Sequence, residues 1–310
     1  MSTRSAPPAA PVMGERRQLI NIAYRMLGSL ADAEDAVQEA YARWYALSSR
    51  EREAVESPGA WLTTVASRVC LNQLGSARAR REHYVGEWLP EPLPDPTEWN
   101  GGRSDTTAFD PADQVTLDES VGMAFLVVLD SMSPAQRVAF ILHDVFRYPF
   151  AEVARIVGRT PAACRQLASS ARRRVRAAPK PSASTARDAA VVRNLKRAWE
   201  ANDIDALVSL LDPQATAVGD GGGLRRPLRG GEKIARHMVR FTGRPSVTTL
   251  LECTVNGQPG LVTCQGGAIV TVYSFDIAGD HIRRLWAVRN PDKLRSWRRG
   301  LWRDPAQAHP

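Results

Sequence analysis

Apolar residues recur at steps of three and four along the first part of the chain, which is the spacing of one helix face. The pattern predicts a helix over 14–29 that ends near Gly28, a second over 31–47 and a third from Trp61 to about Arg81. Helices of this length with one apolar side bury that side against each other. The pattern therefore predicts a compact all-α module over 14–82.

The periodicity then stops. Residues 83–110 contain four prolines between 90 and 96 and two glycines at 101 and 102, which excludes a continuous helix. We interpret this stretch as an extended linker that lies on a surface, because it carries Trp88, Leu89 and Leu93. The Pro/Ala-rich residues 1–13 are expected to be disordered.

A second helical module is predicted over 111–177. Helices over about 112–131 and 133–146 precede a short helix that opens at Pro149 and ends at Gly158. Thr160 and Pro161 then begin another helix. A short helix, a glycine turn and a capped second helix are typical of a helix-turn-helix, which we place at 149–176.

The pattern of apolar and polar positions changes after a Pro/Ala/Ser linker at 178–187. Two helices lead into alternating apolar and polar segments separated by glycine turns, as expected for strands. The pattern predicts an α+β domain with a curved, mostly antiparallel sheet over 188–289, followed by a C-terminal tail, 290–310.

The helix-turn-helix carries a cluster of positive charge, which indicates the kind of partner that it binds. The chain carries a net charge of +8, and six arginines and no acid lie between Arg159 and Arg176. Apolar steps place this charge on the outer face of the second helix, which is what DNA binding requires. Early side chains on that helix are positioned to reach base edges, and later arginines suit phosphates. The helix-turn-helix is therefore predicted to bind DNA.

Three stretches resemble one family. The sequences DAEDAVQEAYARWY (32–45), AWLTTVASRVCLNQLGSARARRE (60–82) and the block Ser133–Arg174 resemble extracytoplasmic-function sigma factors of bacterial RNA polymerase. WLPEPL (88–93), DGGG (220–223) and NPDKL (290–294) resemble a subgroup that has a fused C-terminal SnoaL-like domain, a cone-shaped α+β barrel. The resemblance implies that the first module is sigma region 2 and the second is sigma region 4.

The same resemblance implies the site residues. It implies that the polymerase core is bound by Asp35, Gln38 and Glu39. It implies that the promoter −10 element is bound by Trp61, Arg68, Arg78, Arg80 and Arg81. It implies that the −35 element is bound by Arg165, Gln166, Ser169, Arg172 and Arg173. Arg68 stands where family members often have Asn, and Ser169 where many have a larger residue. For regulation in cis by the C-terminal domain it implies Trp88, Leu89, Pro90, Asp220, Gly221, Asn290, Pro291, Asp292 and Lys293.

The expected function is promoter-specific transcription initiation with RNA polymerase core and promoter DNA as partners. We expect no cofactor, no metal site, no catalytic residue and no membrane partner, and a cytoplasmic location; an unknown small ligand in the C-terminal domain stays open. One alternative is a stand-alone DNA-binding regulator. Another is an enzyme on the SnoaL-like fold, with Asp220, His237, Tyr273 and Trp286 as pocket candidates. The tail around Trp297 has three possible contacts: DNA, polymerase or its own domain.

Overall fold

The computed structural model describes residues 15–81, 87–95, 121–178, 186–222, 224, 226–242 and 248–298. Contacts divide the chain into two units. The first holds the described parts of Met1–Ala79 and Leu129–Arg174, and the second holds those of Arg80–Ser104, Leu117–Val128 and Val175–Pro310. Residues 1–13, the predicted part of the 112–131 helix before residue 121 and the part of the predicted C-terminal tail after residue 298 lie outside the described residues.

The first unit is helical. Its helices are α1 (Arg16–Leu27), α2 (Leu30–Ala46), α3 (Ser49–Glu53), α4 (Pro58–Arg81), the last two residues of α5 (Met123–Asp130), α6 (Pro134–Phe140), a π-helical turn (Ile141–Val145), α7 (Phe150–Val157) and α8 (Pro161–Ala177). The short α3 was not predicted, because five residues are too few to show a helical period. The π-helical turn was not predicted either.

Helix ends in this unit follow local chemistry. Gly28 ends α1 with φ 71° and Gly158 ends α7 with φ 69°, both in the left-handed region that glycine adopts easily. Ser133 begins α6 with a capping box, in which its hydroxyl accepts from Gln136 N and the Gln136 side chain accepts from Ser133 N. The predicted glycine and serine signals are therefore confirmed in the structure.

A buried arginine joins the two helical modules inside this unit. Arg137 is 4 % exposed, and its guanidinium donates to Met26 O at 2.8 Å and to Asp130 Oδ1 at 2.8 Å. Met26 lies near the C-terminal end of α1, whereas Arg137 belongs to α6. A charge-assisted bond to a carboxylate offsets much of the cost of burying the guanidinium.

The second unit contains the predicted α+β domain. After α9 (Ala186–Glu200) and α10 (Ile204–Leu210) come β1 (Leu211–Asp220), β2 (Leu228–Arg229), α11 (Gly231–Thr242), β3 (Thr248–Val255), β4 (Gln258–Gln265), β5 (Ala268–Ala278) and β6 (His281–Val288), then a 3₁₀ turn (Pro291–Leu294) and α12 (Arg295–Arg298). Within the described residues the strand order is β2-β1-β6-β5-β4-β3.

The sheet is mixed and open. β1 pairs parallel to β6, and the other neighbouring strands pair antiparallel. The α+β class and the mostly antiparallel sheet are confirmed. The cone is not a closed barrel, because β2 and β3 are the two ends of the strand order and do not pair with each other in the part of the chain described.

Alternation along the strands gives the sheet two apolar faces. Tyr273 and Leu285 point to a cluster built with α9, α10 and α11. Val272 and Trp286, one residue away on the same strands, belong to a second cluster that includes Leu89 of the linker and Trp297 of the C-terminal segment. The linker, the tail and the start of α5 therefore cover the face that α9, α10 and α11 leave open.

Among the described residues, the structure contains no helix with the length and apolar character needed to cross a bilayer.

Candidate functional site

The linker segment 87–95 lies along the second face of the sheet. Leu89 and Leu93 are 3 % and 5 % exposed, and Pro90, Glu91 and Pro92 between them are buried. Near its end the segment pairs with the hairpin that follows β3: Leu93 N donates to Asn256 Oδ1 at 3.1 Å, and Asn256 N donates to Leu93 O at 2.8 Å. The segment is thus held by its backbone as well as by its apolar side chains.

A buried ion pair fixes the start of the same segment. Asp220 at the end of β1 is fully buried, and its Oδ2 accepts from Lys293 Nζ at 2.5 Å and from Leu89 N at 2.8 Å. Lys293 Nζ also donates to Leu89 O and lies 4.1 Å from the centroid of the Trp88 ring. One carboxylate and one ammonium therefore satisfy both backbone groups of Leu89, which offsets the cost of burying the two charges.

The turn after β6 presents Lys293 to Asp220. Arg289 N donates to Asp220 O at 2.7 Å, and Asn290 Oδ1 accepts from Asp292 N at 3.0 Å, so the 3₁₀ turn begins directly beside the carboxylate. Gly221 passes so close that a Cβ on it would lie 2.2 Å from Asn290 N. Two segments separated by about seventy residues can meet here only with glycine at this position.

We call the four side chains that hold the linker, Asp220, Asn256, Lys293 and Trp297, the linker clamp. Trp297 is 1 % exposed, and its Nε1 donates to Pro92 O at 2.8 Å. The structure thus places Trp297 on its own unit, which was one of the three contacts left open from the sequence. The role of Asn256 in holding the linker was not predicted, because an Asn followed by a Gly is typical of an ordinary hairpin turn.

Not every residue of the NPDKL motif contacts the linker. Pro291 and Asp292 are exposed, and Asp292 pairs with Arg295 at 2.7 Å rather than with the linker. Leu294 is 1 % exposed and belongs to the apolar cluster that contains Leu89. The last two residues of the motif, Lys293 and Leu294, therefore face the linker, whereas Pro291 and Asp292 face solvent.

The predicted polymerase-binding residues share one exposed face of α2. Asp35, Gln38 and Glu39 are exposed, whereas Ala36 and Ala40 between and after them are buried. Glu39 also pairs with an arginine one turn along the helix. The face is accessible and mainly acidic.

The predicted −10 residues lie on α4, which the helix-turn-helix module contacts. Trp61 is partly buried with its ring 5.3 Å from that of Trp44, edge to face. Arg68 is exposed, but its Nη2 donates to Arg155 O of α7 at 2.9 Å, and Thr63 Oγ1 lies 3.1 Å from Tyr148 Oη. Part of the predicted −10 surface is therefore engaged by the other helical module.

The predicted −10 residues also include three arginines at the end of α4. Arg78, Arg80 and Arg81 belong to its last turns, and their side chains lie outside the described residues.

The predicted −35 face of α8 divides into two groups. Arg165, Gln166 and Arg173 are exposed, and Ser169 is half-buried with its Oγ 3.5 Å from Arg173 Nη1. Arg172 differs, since its Nε donates to Asp144 Oδ1 at 2.6 Å. In this structure Arg172 stabilises the packing of α8 on the π-helical turn.

The four pocket candidates do not share a site. His237 and Tyr273 line a cavity between the sheet and the helices. Asp220 and Trp286 lie on the opposite face, in and beside the linker clamp. The alternation of strand residues separates the two pairs.

Comparison with known proteins identifies the family. The model of Sigma-70 region 2 matches residues 12–80, and that of Sigma-70, region 4 matches 122–175. The ECF RNA polymerase sigma factor SigJ of Mycobacterium tuberculosis is 38% identical over 295 residues, 90% of each chain. The chain belongs to the extracytoplasmic-function sigma factors.

One further relative and one solved structure agree with this assignment. Probable ECF RNA polymerase sigma factor SigI of the same organism is 31% identical over 93% of this sigma factor and 95% of its own chain. The crystal structure of Mycobacterium tuberculosis SigJ superposes with a TM-score of 0.70 at 35% identity, and covers 92% of this chain and 97% of that one. The likeness thus includes the C-terminal SnoaL-like domain as well as both sigma regions.

Proposed function

We propose that this sigma factor directs promoter-specific initiation by RNA polymerase core in the cytoplasm and that its C-terminal domain regulates it in cis. The observation that carries the proposal is the linker clamp. The segment between two sigma regions is held by buried groups of a third domain. The proposal assigns 14–82 to sigma region 2, 111–177 to region 4 and 188–289 to the regulatory domain.

Each exposed surface then has a role. The acidic face of α2 (Asp35, Gln38, Glu39) is proposed to bind a basic surface of polymerase core. Trp61, Arg68 and the basic end of α4 are proposed to bind the −10 element, and Arg165, Gln166, Ser169 and Arg173 the −35 element. Because Arg172 forms an ion pair with Asp144, it contacts the −35 element only if that ion pair breaks when DNA binds.

The contact between Arg68 and Arg155 suggests why control is needed. Arg68 donates to a carbonyl of the helix-turn-helix module, so it must leave that carbonyl before it contacts DNA. The two helical modules must therefore separate, and the segment that connects them is the one held by the linker clamp. We propose that the clamped form is restrained and that its release favours initiation.

The alternatives receive less support. We propose no enzymatic role and no cofactor for the chain. Of the four pocket candidates, Asp220 is bonded to Lys293 and to Leu89 N, and it lies on the opposite face of the sheet from His237. A stand-alone DNA-binding regulator would give the exposed acidic face of α2 no role. Core-dependent transcription in vitro distinguishes these readings.

Reversing charge on α2 should weaken polymerase binding. We expect Asp35→Arg with Glu39→Arg to lower the affinity for polymerase core at least about tenfold, which corresponds to about 1.4 kcal/mol. Fluorescence anisotropy of the labelled sigma factor with core measures this affinity. Glu53→Arg is the matched control, because Glu53 is an exposed acid on the neighbouring α3. Equal loss in the control, or no loss in the double variant, argues against this face.

Truncating Arg165 should relax promoter choice. If Arg165 reads a base edge, Arg165→Ala reduces discrimination at one −35 position by about 1–3 kcal/mol. Arg173→Ala should instead weaken all promoters together and lower the salt dependence, since phosphate contacts carry no sequence information. Run-off transcription from a library of −35 variants measures both effects. The assignment fails if the two variants change promoter preference in the same way.

A further inference from the structure

Two aromatic rings lie beside the proposed −35 face of the helix-turn-helix. His143 belongs to the π-helical turn, and Phe150 is the first residue of α7. Their rings stack with centroids 3.7 Å apart and planes at 26°. The Arg165 side chain of α8 lies over the Phe150 ring, with its Cζ 5.6 Å from the ring centroid. We call these three side chains the arginine stack.

The chain between the two rings folds back so that they meet. Arg147 has a φ of 64°, in the left-handed region that residues other than glycine adopt rarely. His143 Nδ1 lies 2.9 Å from Tyr148 O, and Tyr148 N donates to Leu142 O at 2.9 Å. These two contacts hold the His143 ring against the start of α7. The π-helical turn therefore supplies one ring of the arginine stack, and such turns are frequent at functional sites.

Arg165 differs from later arginines of α8 in the group that holds it. Arg172 Nε donates to Asp144 Oδ1, and Arg174 Nη1 donates to Ser131 O at 2.6 Å. Both contacts use N–H groups of the guanidinium. Arg165 is exposed, and among the described residues no acid pairs with it. A ring therefore takes the place that a polar partner has at the other two positions.

An aromatic ring restrains a guanidinium in a way that suits base recognition. The attraction of a cation to a ring face depends on its charge and leaves its N–H groups available. A bidentate contact with a base edge needs two of these N–H groups at once. A mobile arginine loses rotamer freedom when it makes such a contact, and this loss weakens binding. A side chain that is already restrained loses less.

We infer that Phe150 is a positioning residue for promoter recognition and that His143 supports its ring. Phe150 holds the Arg165 guanidinium in place, with its N–H groups free for one base pair of the −35 element. Part of the selectivity at that base pair is therefore determined by the ring. Because Arg165 is the proposed reader of a −35 base, this role of Phe150 rests on the proposed function.

Competition binding to polymerase core that carries the full-length chain tests this role. The probes are promoter duplexes that differ in one −35 base pair at a time. Phe150→Leu keeps an apolar side chain without the ring, and should lower selectivity about two- to fivefold at the base pair where Arg165→Ala loses it, and at no other. Phe150→Tyr keeps the ring and should retain the selectivity. In a chain that already carries Arg165→Ala, Phe150→Leu should cause no further loss.

Phe146→Leu is the matched control. Phe146 also lies under an arginine, since the Cζ of Arg25 is 5.2 Å from its ring centroid, but Arg25 belongs to α1 and is only 6 % exposed. This variant should leave −35 selectivity unchanged. Unchanged selectivity in Phe150→Leu, an equal loss at every −35 base pair, or a further loss in the Arg165→Ala chain would each overturn the inference. An equal loss of selectivity in Phe146→Leu would also overturn it.

NMR of the full-length chain tests the arginine stack without polymerase or DNA. A proton over a ring face is shifted upfield, so the Arg165 Nε–H signal, assigned with Arg165→Ala, should move downfield in Phe150→Leu and stay in place in Phe150→Tyr. No movement in Phe150→Leu would overturn the inference and leave the proposed function standing. Failure of the proposed function gives a different result, in which core with the unmodified chain selects no promoter duplex, whatever the NMR signal shows.

Discussion

Replacing Lys293 by methionine should lower the free energy of unfolding of the second unit by about 3–5 kcal/mol, the usual cost of leaving a buried charge unpaired. Lys293 is 8 % exposed and Asp220 fully buried, so solvent cannot replace the ammonium without opening the linker clamp. The carbonyl of Leu89 also loses its hydrogen-bond donor, because Lys293 Nζ donates to it. Chemical denaturation followed by intrinsic fluorescence measures the loss in the second unit's transition.

Two controls make this result specific. Lys233→Met removes an exposed lysine from α11 and should change stability by less than about 0.5 kcal/mol. Asp220→Asn combined with Lys293→Met removes both charges of the buried ion pair, and the new amide oxygen still accepts from Leu89 N, so the double variant should recover part of the loss. A loss below about 1 kcal/mol for Lys293→Met would mean that the pair does not hold the linker.

Substituting Gly221 by alanine should be nearly as damaging. Its φ of 86° costs a side-chain-bearing residue about 1–2 kcal/mol. In addition, the new Cβ would lie 2.2 Å from Asn290 N and 2.5 Å from its Cα, so one of two backbone segments must move at a cost of about 1–3 kcal/mol. Thermal unfolding monitored by circular dichroism measures the sum.

Gly279→Ala separates the two contributions to this loss. Gly279 has a φ of 64° in the turn between β5 and β6, and a Cβ there meets nothing within 4 Å. This control therefore includes the backbone strain but not the overlap. If both alanine variants lose equal stability, the close approach of the DGGG and NPDKL segments does not constrain the linker clamp.

The order of modules was predictable because local signals agree with the global fold. Gly28, Ser133 and Gly158 end or begin helices where their backbone chemistry requires it. The regulatory segments were predicted from their resemblance to a subgroup. Which atoms meet was not predictable, since Lys293 and Asp220 are far apart in sequence and the sheet alone brings them together.

The contacts of Arg172 and Trp297 and the openness of the sheet could not be predicted from the sequence for similar reasons. Arg172 is one of several arginines on α8, and only the fold shows that it lies beside Asp144. Trp297 lies in an arginine-rich tail, and the neighbouring sequence does not distinguish a tryptophan that donates to Pro92 O from one that contacts DNA. The openness of the sheet depends on the short β2, whose two residues carry no strand period.

The most direct test of the account is run-off transcription with RNA polymerase core. It compares the intact chain, Lys293→Met, Lys233→Met and a chain that ends at Val288. We expect initiation only with core present, and higher output from Lys293→Met and the shortened chain than from the unmodified chain and Lys233→Met. Core-dependent initiation by none of the four proteins, or equal output from all of them, would contradict it.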